Sequence, residues 1–137
     1  MNHSQLEIGL THQDGFIVEP RHTVPQVDTN WPGFQDMPPL LATAYMIGFM
    51  EQTCIQALRP YLAPGEHTLG IAVDMTHESP TQAGSLVKAT VELVKIEGKV
   101  LHFHVSCLDD KGLIGRGTHK RAIIQVERFL TRIKSTK

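Results

Sequence analysis

Residues 40–58 are apolar around most of a helical circumference, and this constrains the fold more than any other feature of the chain. Leu40, Ala44, Ile47, Met50, Cys54 and Leu58 recur at spacings of three and four, which predicts a helix of about five turns. A helix with so wide an apolar surface has to be enclosed by other elements rather than laid on a surface. Asp36-Met37-Pro38-Pro39 reads as its start, with Asp36 as cap and proline in the first turn, and Arg59-Pro60 ends it.

The rest of the chain alternates with a period of two. Residues 8–18 read as a strand broken near Asp14-Gly15, and residues 19–33 as a loop ending in Asn30-Trp31-Pro32-Gly33. After the helix, residues 68–78, 86–96, 100–108 and 113–126 read as four strands in a meander, with turns at Glu97-Gly98 and Asp109-Asp110-Lys111-Gly112. Residues 127–134 form a short terminal helix. The predicted class is α+β, an antiparallel sheet wrapped around one long central helix, which is the hotdog arrangement. Its outer sheet face is polar, and its edge is free to pair with a second copy.

A chain of 137 residues fits a single domain spanning 1–137. A net charge of -1 gives no electrostatic reason to expect nucleic acid or an anionic membrane as partner. Cys54 and Cys107 sit in apolar patterns and read as two buried reduced thiols. The N-terminal residues lack the basic-then-apolar pattern of a signal peptide, and no apolar run reaches the ~20 residues that span a bilayer. The expected location is the cytoplasm.

Glu51 is the most informative side chain. It stands mid-helix in Met46-Ile47-Gly48-Phe49-Met50-Glu51-Gln52, where a carboxylate costs several kcal/mol unless it is paired or neutral. It reads as a general base or nucleophile, or else as part of a narrow exposed stripe with Gln52. Thr43 lies eight positions earlier, about 80° around the axis and ~12 Å along it. The two cannot reach one carbonyl from a straight helix. Either Thr43 sits at a bent helix end, where it would cap, or the pair serves one site from two subunits. His77, in Thr76-His77-Glu78, is placed to move a proton, or to bond a neighbouring carbonyl. His102 and His104 share a strand face without a third ligand at metal-binding spacing, so no metal is expected. Gly115-Arg116-Gly117-Thr118-His119-Lys120-Arg121 is glycine- and base-rich. Arg121 and its neighbours read either as partners for coenzyme A phosphates or as a plain exposed strand. The glycines mark a close approach by backbone or ligand.

Taken in order and spacing, several segments resemble the hotdog thioesterases related to fluoroacetyl-coenzyme A thioesterase. They are Arg21-His22-Thr23-Val24, Ala42-Thr43-Ala44, Gly48-Phe49-Met50-Glu51, Tyr61-Leu62-Ala63-Pro64-Gly65-Glu66, Leu69-Gly70, Thr76-His77 and Gly117-Thr118-His119-Lys120-Arg121-Ala122. The resemblance implies a catalytic threonine, glutamate and histidine at Thr43, Glu51 and His77, with Gly70 lining the substrate pocket. It implies an acyl-CoA substrate, no cofactor, and a homodimer, with a dimer of dimers as a further assembly. In the lid before the helix Phe34 matches the family's first phenylalanine, but Met37 replaces the second, and Gln52 replaces the tryptophan after the glutamate. Methionine adapts to varied shapes, so a wider acyl pocket is expected than in the fluoroacetyl enzyme. The competing readings are a hotdog hydratase or dehydratase, whose aspartate–histidine motif is not found, and a non-catalytic acyl-CoA sensor.

Overall fold

Five strands and one long helix carry the architecture of the computed structural model, which describes residues 2–135. The strands are β1 (Thr11–Ile17), β2 (Glu66–Met75), β3 (Leu86–Glu97), β4 (Val100–Asp109) and β5 (Gly112–Gln125). The helices are α1 (Pro32–Gln35), α2 (Thr43–Leu58) and α3 (Val126–Ser135). All strand pairs are antiparallel, in the order β1-β3-β4-β5-β2.

The alternation seen in the sequence decides which side chains face α2. Val87, Ala89, Val91 and Leu93 of β3, with Leu101, Phe103, Val105 and Cys107 of β4, are buried. They meet Met46, Met50, Cys54, Ala57 and Leu58 on one side of α2. Each valine, leucine, methionine or phenylalanine among them contributes roughly 1.5–3 kcal/mol by leaving water, and these contacts supply most of the core. The β3–β4 turn is Gly98-Lys99, with Gly98 at φ 60°, the left-handed conformation that a two-residue hairpin loop requires.

Four expectations need correction. β1 is not broken at Gly15, because pairing with β3 runs without a register shift from Thr11 to Ile17 and outweighs the residue's weak strand preference. The helix begins at Thr43 rather than just after Asp36. Leu40 and Leu41 are held extended by bridges to Gln82 and Thr23, and Asp36 closes α1 instead of capping α2. Pro38 and Pro39 reinforce this, since a residue before proline is disfavoured in helical conformation. The four later strands are not a simple meander: only β3, β4 and β5 are consecutive neighbours, and β2 lies at the far edge against β5. Residues 76–85 carry the chain across to β3. Finally, α2 is not enclosed all round, since Ala44, Tyr45, Gly48 and Gln52 are exposed in the single chain.

Candidate active site

Two side-chain pairs stand near β2, at the edge of the sheet. The first joins Thr43, the opening residue of α2, to His77, two residues beyond β2: Thr43 Oγ1 is 2.7 Å from His77 Nδ1. The helix uses no side-chain cap, as its N-cap is Ala42, so the Thr43 hydroxyl is free for this contact. Burial lowers the pKa of His77 and favours its neutral form near pH 7. Its Nε2 is buried without a hydrogen-bond partner among the described residues. An imidazole with one nitrogen fixed and the other uncommitted is equipped to accept or deliver a proton. A shallow cleft of about 250 Å³ beside it is lined by Leu40, Leu41, Glu78, Ser79 and Pro80.

The second pair is centred on Glu51. Its Oε2 accepts a hydrogen bond of 2.8 Å from Arg121 Nη1, and His119 Nε2 lies 3.8 Å away. The Glu51 side chain remains 38% exposed while that of Arg121 is 4% exposed, so the pair is anchored from the inside and open on the carboxylate side. Arg121 also donates from Nε to Thr68 Oγ1 (2.9 Å) and from Nη2 to the Thr68 carbonyl (2.8 Å). This corrects both readings of Arg121, as a partner for coenzyme A phosphates and as part of a plain exposed strand: it points into the protein and is committed to Thr68, His119 and Glu51. Its position along β5 accounts for this. Arg121 has the same strand parity as His119 and Ile123, and all three are buried.

Gly70 makes room for the Glu51 carboxylate. A Cβ at Gly70 would stand 2.5 Å from Glu51 Oε2 and 3.2 Å from both Arg121 Nη1 and His119 Cε1. The strand shifts register between Gly70 and Ala72 at this point. Because the obstructing atom is the end of a flexible side chain, Gly70→Ala is expected to displace the carboxylate rather than unfold the sheet. Any rate that depends on the placing of this carboxylate is expected to fall about tenfold or more, since small misplacements of a reacting group cost up to ~10²-fold. The melting temperature changes little. Steady-state kinetics beside a thermal melt checks both.

Thr43, His77, Glu51 and Gly70 therefore gather near β2, but as two separate pairs along α2. The helix runs continuously from Thr43 to Leu58, and at ~1.5 Å rise per residue this keeps Thr43 and Glu51 about 12 Å apart along it. Phe34 and Met37 lie apart, on α1 and just after it. Phe34 packs edge-on against Trp31, with centroids 5.2 Å apart, and Met37 is 47% exposed. Neither lines the apolar cleft of about 490 Å³ that opens beside the exposed face of α2, among Phe16, Tyr45, Gly48, Phe49 and Gln52. Cys54, three residues beyond Glu51, is buried and free, as is Cys107. Burial pushes the Cys54 thiol up to about 12, with Arg121 opposing, and the Cys107 thiol up to about 11.

His119 is the participant that sequence reasoning missed. Its signal was available in the period-two register of Gly117, His119, Arg121 and Ile123, which assigns the histidine to the face of the buried Ile123. The glycine- and base-rich composition of the strand masked it.

Comparison with known proteins identifies the family of the chain. The fluoroacetyl-CoA-specific thioesterase family matches residues 18–127. The chain is 39% identical over 129 residues to the fluoroacetyl-CoA thioesterase of Streptantibioticus cattleyicolor, covering 94% of this chain and 93% of that protein. A solved structure of the fluoroacetyl-CoA thioesterase FlK matches with a TM-score of 0.93 at 38% identity, covering 96% of this chain and 98% of that one. A thioesterase superfamily member from Thermus thermophilus matches with a TM-score of 0.83 at 25% identity, covering 95% and 94%.

Proposed function

Because the chain belongs to the fluoroacetyl-CoA-specific thioesterase family, we propose that it hydrolyses a small or medium acyl-CoA thioester to the free acid and coenzyme A. The observation that carries this reading is the Glu51 carboxylate, fixed through one oxygen by a buried arginine and partly open to solvent. A carboxylate held in that way serves as base toward water or attacks the thioester carbonyl carbon itself. His77 relays a proton to the departing thiolate after taking it up from the attacking water or from solvent, and Thr43 orients substrate or water through its hydroxyl. Backbone N–H groups at the start of α2 meet the developing oxyanion, where unpaired donors and the helix dipole favour negative charge.

The two pairs work together only if two copies of the chain form a dimer. β2 is an edge strand, and Leu69, Ile71 and Val73 along it are exposed, which suits pairing with its own copy. Antiparallel pairing about a two-fold axis near Ala72 and Val73 sets Gly70 of one copy opposite the end of β2 in the other. Glu51 of one protomer then faces Thr43 and His77 of its partner, and the ~12 Å separation within one helix ceases to matter.

Met37 in place of an aromatic supports a broader acyl range than fluoroacetyl. A cytoplasmic location suits both the substrate and two reduced thiols. Among the described residues no helix is long and apolar enough to cross a membrane. The test is hydrolysis across short, branched, aromatic and halogenated acyl-CoA substrates. Turnover of several classes is expected. Turnover of fluoroacetyl-CoA alone would refute the wider pocket, and tight binding without any turnover would favour an acyl-CoA sensor. A single turnover in heavy-oxygen water separates the two roles of Glu51, since label in its carboxylate reports direct attack.

A further inference from the structure

Nη1 of Arg121 carries two N–H groups and reaches two partners, Glu51 Oε2 at 2.8 Å and His119 Nε2 at 3.0 Å. A guanidinium nitrogen cannot accept, so His119 Nε2 must be the acceptor, and the imidazole is neutral with its proton on Nδ1. That proton also has a destination: Nδ1 lies 2.7 Å from the carbonyl oxygen of Ala72, where β2 resumes its pairing after the register shift. The tautomer is thus fixed from both ends of a ring that is 1% exposed. Burial also lowers the His119 pKa, which favours the same neutral form.

We infer that His119 is a positioning residue for Glu51, acting through Arg121. By taking the second N–H of Nη1, it limits that nitrogen to one hydrogen bond with the carboxylate and leaves the other carboxylate oxygen for water or substrate. Thr68 holds the Nε and Nη2 side of the same guanidinium, so the group is pinned along two edges. Without His119 the second Nη1 N–H has no partner, and the more exposed Glu51 carboxylate shifts to share with it the oxygen that the chemistry needs.

Two substitutions separate this role from packing. His119→Asn keeps a donor at the place of Nδ1 and loses the acceptor at Nε2. His119→Gln extends a carbonyl oxygen to the place of Nε2 and gives up the bond to Ala72. The activity arm rests on the thioesterase reading and uses an acyl-CoA that the wild type turns over. We expect His119→Asn to lower kcat about tenfold or more, with KM within about twofold, and His119→Gln to recover most of the loss. Both variants melt below the wild type. Equal losses of kcat in the two variants, or a change in melting alone, would reduce His119 to a packing residue. The second arm needs neither a variant nor turnover: long-range nitrogen–proton NMR of the wild type is expected to find the ring proton on Nδ1. A proton on Nε2 overturns the inference. A wild type that hydrolyses no acyl-CoA defeats the thioesterase reading instead and leaves the NMR arm as the test.

Discussion

Glu51→Gln is expected to lower kcat for acyl-CoA hydrolysis by about 10²–10⁴-fold, the range for loss of a positioned base, while the protein stays folded. Glutamine keeps a carbonyl oxygen for Arg121 Nη1, and the bonds from Arg121 to Thr68 and His119 remain. The buried guanidinium therefore loses its countercharge but not its hydrogen bonds, and a modest fall in melting temperature follows. The variant also tests the shared site. When Glu51→Gln protomers are unfolded and refolded with His77→Ala protomers, half of the dimers formed at random are mixed. In each mixed dimer one site has both intact residues and the other has neither, so about a quarter of wild-type activity returns. No recovery on mixing would show that each protomer completes its own site. Near-normal hydrolysis by Glu51→Gln alone would remove the carboxylate from the mechanism.

Gly117→Ala is expected to have the largest effect on stability. A Cβ at Gly117 would overlap the carbonyl oxygen of Asp74 and lie 2.8 Å from the Met75 Cα. Both are backbone atoms of β2, so relief requires the two strands to separate where Met75 pairs with Gly117. Overpacking of this kind costs about 1–3 kcal/mol. Because no side chain can yield, we expect the upper end, a fall of roughly 10 °C in melting temperature for a chain of this size. Thermal unfolding followed by circular dichroism checks it, and a shift within about 2 °C would contradict the close approach. Gly70→Ala makes the contrast: there the obstructing atom is a carboxylate oxygen, so activity falls instead of stability.

Much of this was legible in the sequence because periodicity reports burial. The apolar repeat of α2 and the alternation of β3 and β4 follow directly from which side chains must leave water. Strand order was not legible, because alternation says which face is buried but not which neighbour a strand pairs with. Residues 68–78 alternate equally well beside β3 or beside β5. Glu51 stood out as a carboxylate among apolar residues, yet its partner Arg121 is seventy positions away on β5, and only the folded sheet brings the two together. The start of α2 was misjudged by six residues, Met37 after an Asp36 cap against the observed Thr43. Proline at Pro38 and Pro39 suits either a first helical turn or an extended approach, and the bridges from Leu40 and Leu41 decide between them.

The burial of Cys54 has a chemical consequence for an enzyme that handles thioesters. A thiolate beside an activated acyl group competes with water, and exchange onto it would leave the protein acylated and the turnover incomplete. Cys54 lies close enough to Arg121 and Glu51 to feel their charges. Burial pushes its thiol up to about 12, so it stays protonated at neutral pH. Packing thus protects the catalyst from capture by its own substrate, with a sulfur atom kept at hand and chemically silent.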